Sequence, residues 1–202
     1  MSDKDEFRAK ADVSRETFAQ LEIYADLLKD WNKWINLVSS KSLELLWRRH
    51  FLDSAQLFKI GAGAKSWVDL GSGGGFPGAV VAIMAGDAMK TTLIESDQRK
   101  AAFLRCLARE TTSFKVISAR IEEAEPQHAD VVSARALAPL PLLLPYVSRH
   151  LRADGRAILP KGQKAQVEVT EALEHWRFDC ETYPSETDPD AVVLTIGDIK
   201  RA

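Results

Sequence analysis

The chain has 202 residues, 46% of them hydrophobic, and a formal net charge of −2. That length supports one substantial core, so one catalytic domain with a small appendage is expected rather than several domains. The charged start, MSDKDEFRAKADVSRETF, has neither the apolar centre of a signal peptide nor a run able to span a bilayer, and the expectation is a soluble cytoplasmic protein.

Two cysteines, Cys106 and Cys180, and four scattered histidines suit neither a zinc ligand set nor a disulfide framework, so no metal is expected and any cofactor is organic. The near-neutral balance argues against a general polyanion binder, which leaves any RNA site as a local patch. Arg48, Arg49 and His50 form one basic run, and Arg99, Lys100, Arg105 and Arg109 lie along one helical segment. Each run taken alone is as readily a solvated face.

In chain order, Phe18, Leu21, Ala25 and Leu28 recur at three and four residues, which predicts a helix from Ser14, its N-cap, to about Leu37. A second helical segment spans Ser42 to Phe58, with Leu43, Leu46, Trp47, Phe51 and Leu52 as its apolar members. At SWVDL the pattern changes to a short buried strand ending in glycines. Thr91 to Ser96, Phe114 to Ser118, Asp130 to Ala134 and Gly155 to Pro160 repeat it, with helical segments between them. This alternation predicts a parallel sheet covered on both faces. A helix from about Ala165 to His175 follows, then FDCETY and AVVLTIGD as a closing antiparallel pair, seven strands in all.

The sharpest local signal is VDLGSGGGFPG, in which Asp69 ends the first strand and Pro77 is placed as the first residue of the next helix. Gly73, Gly75 and Gly78 satisfy G-x-G-x-x-G, a pattern that alone suits a dinucleotide equally well. Glu95, about twenty residues on at the end of the second strand, can accept both hydroxyls of an adenosine ribose. NAD and S-adenosylmethionine share that ribose, but a dinucleotide needs a second mononucleotide half or substrate domain. A single sheet fits S-adenosylmethionine better. In ARIEEA, Ile121 and Glu122 can cover an adenine ring, although a plain helix start reads equally well there. Arg135 stands at the carboxyl end of the fourth strand, the edge where open parallel sheets bind ligands.

Taken together and in order, WNKWINLVS, RRHFLDS, VDLGSGGGFPG, LIESDQRKAAFLR, ARIEEA, SARAL and LPKGQ resemble the family called glucose-inhibited division protein B, or ribosomal small-subunit methyltransferase G. The resemblance spans almost the whole chain and weakens after Gly162. It implies an α/β fold, a Rossmann-like class I methyltransferase core at residues 63–202 behind an N-terminal helical extension at 1–62. It further implies S-adenosylmethionine as cofactor and methylation of one guanine at N7 in 16S rRNA, on the RNA or the small subunit, by a monomer. By position it implies cofactor contacts at Gly71, Phe76, Ile121, Glu122 and Arg135. Asp69, Ser72, Gly73 and Glu95 join them as candidates from the loop and strand ends. Glu95 stands where some relatives have aspartate, which keeps the carboxylate.

Guanine N7 holds a lone pair and no proton, so its methylation needs positioning rather than a general base. Arg135 and Lys161, both ending strands at the ligand edge, are the donor candidates for the substrate base. His50 and Asp53 order the substrate side or merely staple the extension, and Asn32 shares that ambiguity. Arg48, Arg49 and Lys161, with Arg99 and Lys100 behind them, are candidates for phosphate contacts. Trp31, Trp34 and Trp47 suit base stacking, but at helical spacing at least two of them belong to the core. A methyltransferase for another substrate, an NAD-dependent oxidoreductase and an RNA-binding module remain as alternatives.

Overall fold

The computed structural model describes residues 2–202. Its elements are α1 (Asp3–Lys10), α2 (Arg15–Asn32), α3 (Ser40–Leu43), α4 (Asp53–Ile60), β1 (Ser66–Leu70), α5 (Gly78–Ala85), β2 (Lys90–Ile94), α6 (Gln98–Glu110), β3 (Lys115–Ile117), β4 (Ala129–Ala134), α7 (Leu140–His150), β5 (Leu151–Lys161), α8 (Ala165–Leu173), β6 (Trp176–Pro184) and β7 (Val192–Arg201). The strands form one sheet in the order β3-β2-β1-β4-β5-β7-β6. The first five run parallel, and β7 lies antiparallel between β5 and β6. The expected α/β class, strand number and closing antiparallel pair are all present.

One sheet face carries α7 and α8 over Val68, Leu70, Ile94, Val132 and Leu159. The other carries a larger core in which Leu21, Tyr24, Leu28 and Phe51 of the first sixty residues pack directly with Phe76, Phe103 and Leu104. α2 is held at its start by Ser14, whose side chain accepts from Thr17 N–H, as expected for an N-cap. It stops at Asn32 rather than near Leu37. There the Asn32 Oδ1 accepts from the N–H groups of Leu37 and Val38 at 2.9 and 3.0 Å, turning the chain instead of continuing the helix.

Four further differences are local, and the first two have causes in tertiary packing. α1 was not foreseen: its only buried side chain, Phe7, meets Trp47, Phe51 and Phe18, long-range partners that periodicity does not reveal. The segment read as one helix over 42–58 is broken into α3, a π-helical turn at Trp47–Leu52, and α4. His50, Phe51 and Leu52 are all buried, and an ordinary turn does not sink three successive residues. The β3–β4 connection, expected to be helical, holds only turns. Pro77 precedes α5 as its cap, after a cis Phe76–Pro77 bond, rather than opening it.

Candidate active site

Parallel strands place their carboxyl ends along one edge, so the residues after β1, β2, β3, β4 and β5 converge there. Two cavities open along this edge. One, of about 670 Å³, is lined by Gly71 and Gly73 after β1, Glu95 and Lys100 after β2, and Ile121 and Glu122 after β3. The other, of about 800 Å³, is lined by Arg49, His50 and Asp53 from the π-turn region, Arg135 after β4, and Lys161 and Glu168. Both volumes lie in the range of small-molecule sites.

In the first cavity, Gly71 and Gly73 have φ of 64° and 54°, left-handed values that side chains resist. Their bare backbone forms its floor. The Glu95 carboxylate spans the loops, accepting from Gly73 N–H at 2.7 Å and from Asp97 N–H at 2.7 Å. Each oxygen keeps a further lone pair, so it can still take hydroxyl donors. Because the β3–β4 connection has no helix, Ile121 and Glu122 sit on a turn. It is braced from beneath by buried His150, whose Nε2 donates to the Ile121 carbonyl at 2.9 Å.

The second cavity is organised by charge. Arg135 donates through Nη1 to the Arg49 carbonyl at 3.1 Å and to Asp53 at 3.2 Å, and through Nη2 to His50 Nδ1 at 2.6 Å. A guanidinium has five N–H groups; these bonds use three, leaving two. Its carbon lies 5.1 Å from the Phe76 ring, on which His50 is stacked at 4.6 Å. Burial, and then the Arg135 and Arg49 charges, lower the His50 pKa from 6.5 to about 3, so the imidazole is neutral. Lys161 gives one N–H to the Ala138 carbonyl at 2.9 Å and one to Glu168 at 2.8 Å, keeping a third.

Several expected site residues lie elsewhere. Asp69 is fully enclosed and faces neither cavity: its Oδ1 accepts from Ser133 Oγ at 2.7 Å, which in turn accepts from Trp67 Nε1 at 2.8 Å. Burial raises its pKa from 3.8 to about 6. Ser72 is buried, its hydroxyl donating to the Asp69 carbonyl. Phe76 is 4% exposed, packed between Tyr24 and His50, and supports the site from below. Arg135, expected both at the cofactor and as a donor on the substrate side, lines only the neighbouring cavity. Asn32 is committed to its turn, and Arg48, which lines neither cavity, donates to the carbonyl of Thr187 at the margin of the second. Trp47 is buried and Trp31 packs on Phe103, whereas Trp34 is 85% exposed.

Leu137, Ala138 and Tyr146 of the first cavity and Glu168 of the second went unread. The one sequence signal for them was their nearness to Arg135 and Lys161.

The family described as rRNA small subunit methyltransferase G (GidB) matches residues 17–187. A ribosomal RNA small subunit methyltransferase G from Ruegeria sp. is 49% identical over 194 residues, covering 94% of this chain and 95% of its own length. The protein of that name from Gluconobacter oxydans is 50% identical, covering 94% and 97%. A TehB-like SAM-dependent methyltransferase from Corynebacterium glutamicum superposes with a TM-score of 0.57 at 16% identity, over 89% of this chain and 98% of that one, a likeness of fold. Near-half identity along almost the full length of such relatives, on a sheet of this topology, makes the chain a member of the rRNA small subunit methyltransferase G family.

Proposed function

We propose that the protein transfers a methyl group from S-adenosylmethionine to N7 of a guanine in small-subunit 16S rRNA. The observation that carries this reading, beside family membership, is the pairing of the two cavities. One offers a glycine floor and a carboxylate, the other a cationic wall, and they adjoin at the ligand edge of the sheet.

The first cavity fits the cofactor. Left-handed Gly71 and Gly73 admit close approach of an amino-acid and sulfonium moiety, Glu95 accepts ribose hydroxyls, and Ile121 with the backbone at Glu122 covers a flat purine. Bound there, the cofactor supplies a methyl group made electrophilic by its sulfonium sulfur. The two remaining N–H groups of Arg135 and the third of Lys161 suit guanine O6, leaving N7 unprotonated and free to attack. No residue need act as a base. Alignment of two bound partners supplies on the order of 7 to 11 kcal/mol of the barrier reduction.

On this reading the helices of residues 2–62 act as an extension of the core, contributing Arg49, His50 and Asp53 to the substrate side, with Arg49 assigned to the RNA backbone. Among the described residues no helix is long and apolar enough to cross a membrane. Since the proposed substrate is ribosomal RNA, we further propose that the enzyme acts in the cytoplasm, and as a monomer.

The test is transfer of labelled methyl from S-adenosylmethionine to small subunits and to protein-free rRNA from cells lacking this gene, followed by cleavage specific for 7-methylguanine. One site is expected, lost in Arg135→Ala and Glu95→Ala. No incorporation into either RNA, with cofactor binding intact, overturns the rRNA substrate.

A further inference from the structure

Among the described residues, Leu137 and Ala138 alone line both cavities. Leu137 is apolar yet 37% exposed, and its side chain lies on the glycine loop: a Cβ on Gly71 would come within 2.7 Å of its Cδ1. The backbone on either side is fastened. Ala136 stands at φ 52°, a left-handed value that a non-glycine residue keeps only where its surroundings hold it there. On the other side Lys161 binds the Ala138 carbonyl at 2.9 Å, and Glu168 accepts from Leu140 N–H at 2.8 Å. What stands at the junction is thus a leucine and an alanine, Leu137 carrying the larger side chain, on a segment held by hydrogen bonds to Lys161 and Glu168.

We infer that Leu137 is a positioning residue for methyl transfer, placed where donor and acceptor meet, where it sets the approach of the acceptor nitrogen and keeps water from the sulfonium. This rests on the reading that the methyl donor occupies the Gly71–Glu95 cavity. In the step, the N7 lone pair forms the new N–C bond as the C–S bond breaks, its electron pair stays on sulfur, and positive charge passes to the purine without any proton moving. An apolar side chain suits that junction for two reasons. It offers N7 no hydrogen bond that would mask the lone pair, and it packs against a base face without solvating the charge being transferred.

Three variants test this, assayed on small subunits and rRNA with cofactor affinity measured separately by calorimetry. Leu137→Ala should lower kcat about 10- to 100-fold while the cofactor Kd and the RNA KM move less than about threefold, because misplacement by an ångström costs on that scale. Leu137→Met, which keeps apolar reach, should recover most of the rate, and Leu137→Asn, similar in size but polar, should not. A Leu137→Ala kcat within about twofold of the parent, or a loss confined to KM or Kd, or Met no better than Ala, overturns the inference. Failure of the parent protein to bind S-adenosylmethionine or methylate rRNA defeats the underlying reading instead, so the two failures are distinguishable.

Discussion

Arg135 and His50 are joined by a hydrogen bond of 2.6 Å in which the guanidinium can only donate, so the imidazole Nδ1 accepts and the ring proton sits on Nε2. The ring is neutral with a pKa near 3, lowered by burial and then by the Arg135 and Arg49 charges. Its folded value lies below its unfolded one, so His50 stabilises the fold fully above about pH 6.5, and that contribution is lost as the pH falls toward 3. The His50 ring signals in NMR should therefore stay constant between pH 5 and 8, and the activity profile in that range should carry no His50 ionisation. An imidazole that titrates near pH 6.5 contradicts this arrangement.

Asp69 behaves in the opposite sense. Burial raises its carboxyl from 3.8 to about 6, so the protonated form is favoured on folding and stability declines as the pH rises between those values. The gap corresponds to roughly 3 kcal/mol. Asp69→Asn, which keeps an acceptor for Ser133, should abolish this component. Denaturant midpoints of parent and variant should diverge as the pH is raised from 4 to 7, with the variant the more stable at pH 7. Parallel curves would show that Asp69 is ionised at no cost.

Tyr24 ties α2 to the glycine loop, its hydroxyl donating to the buried Gly74 carbonyl at 2.5 Å and its ring stacked 5.1 Å from Phe76. Tyr24→Phe keeps the stacking and strands the carbonyl, at a cost of about 1–3 kcal/mol. Cofactor affinity should weaken with stability, since the same loop floors the cavity. Calorimetric Kd and thermal midpoint both unchanged would remove the tether from the account.

Arg49 lines the cationic cavity. If its side chain meets a phosphate, Arg49→Ala should weaken rRNA binding regardless of sequence and reduce the slope of log K against log salt by about 1. Cofactor affinity should be unaffected. An unchanged slope would assign Arg49 to the base or to the fold.

Much of the fold was legible in local patterns. Val68 to Leu70 before the glycines, and Ser14 ahead of Phe18 and Leu21, carry strand and helix signals within a few residues, and both elements stand where those signals put them. The breaks were not legible. Asn32 turns the chain through a side-chain bond to residues five and six positions on, and the π-turn at Trp47–Leu52 follows from burial against Phe7 and Phe76, partners remote in sequence.

The site divides in the same way. Glu95 and the glycine loop were legible as strand-end features, since a parallel sheet gathers strand ends at one edge, whereas Gly71, Ile121 and Glu122 were named through the family resemblance; all line the first cavity. Sequence alone thus determined the family, the succession of the seven strands and several of the residues that reach that edge. Tertiary structure decided which way each side chain faces. It turned Asp69 inward to Ser133, placed Phe76 beneath His50, moved Arg135 to the neighbouring cavity, and set Leu137 between the two. Those outcomes depend on contacts between residues scores of positions apart, whose geometry exists only once the layers have packed.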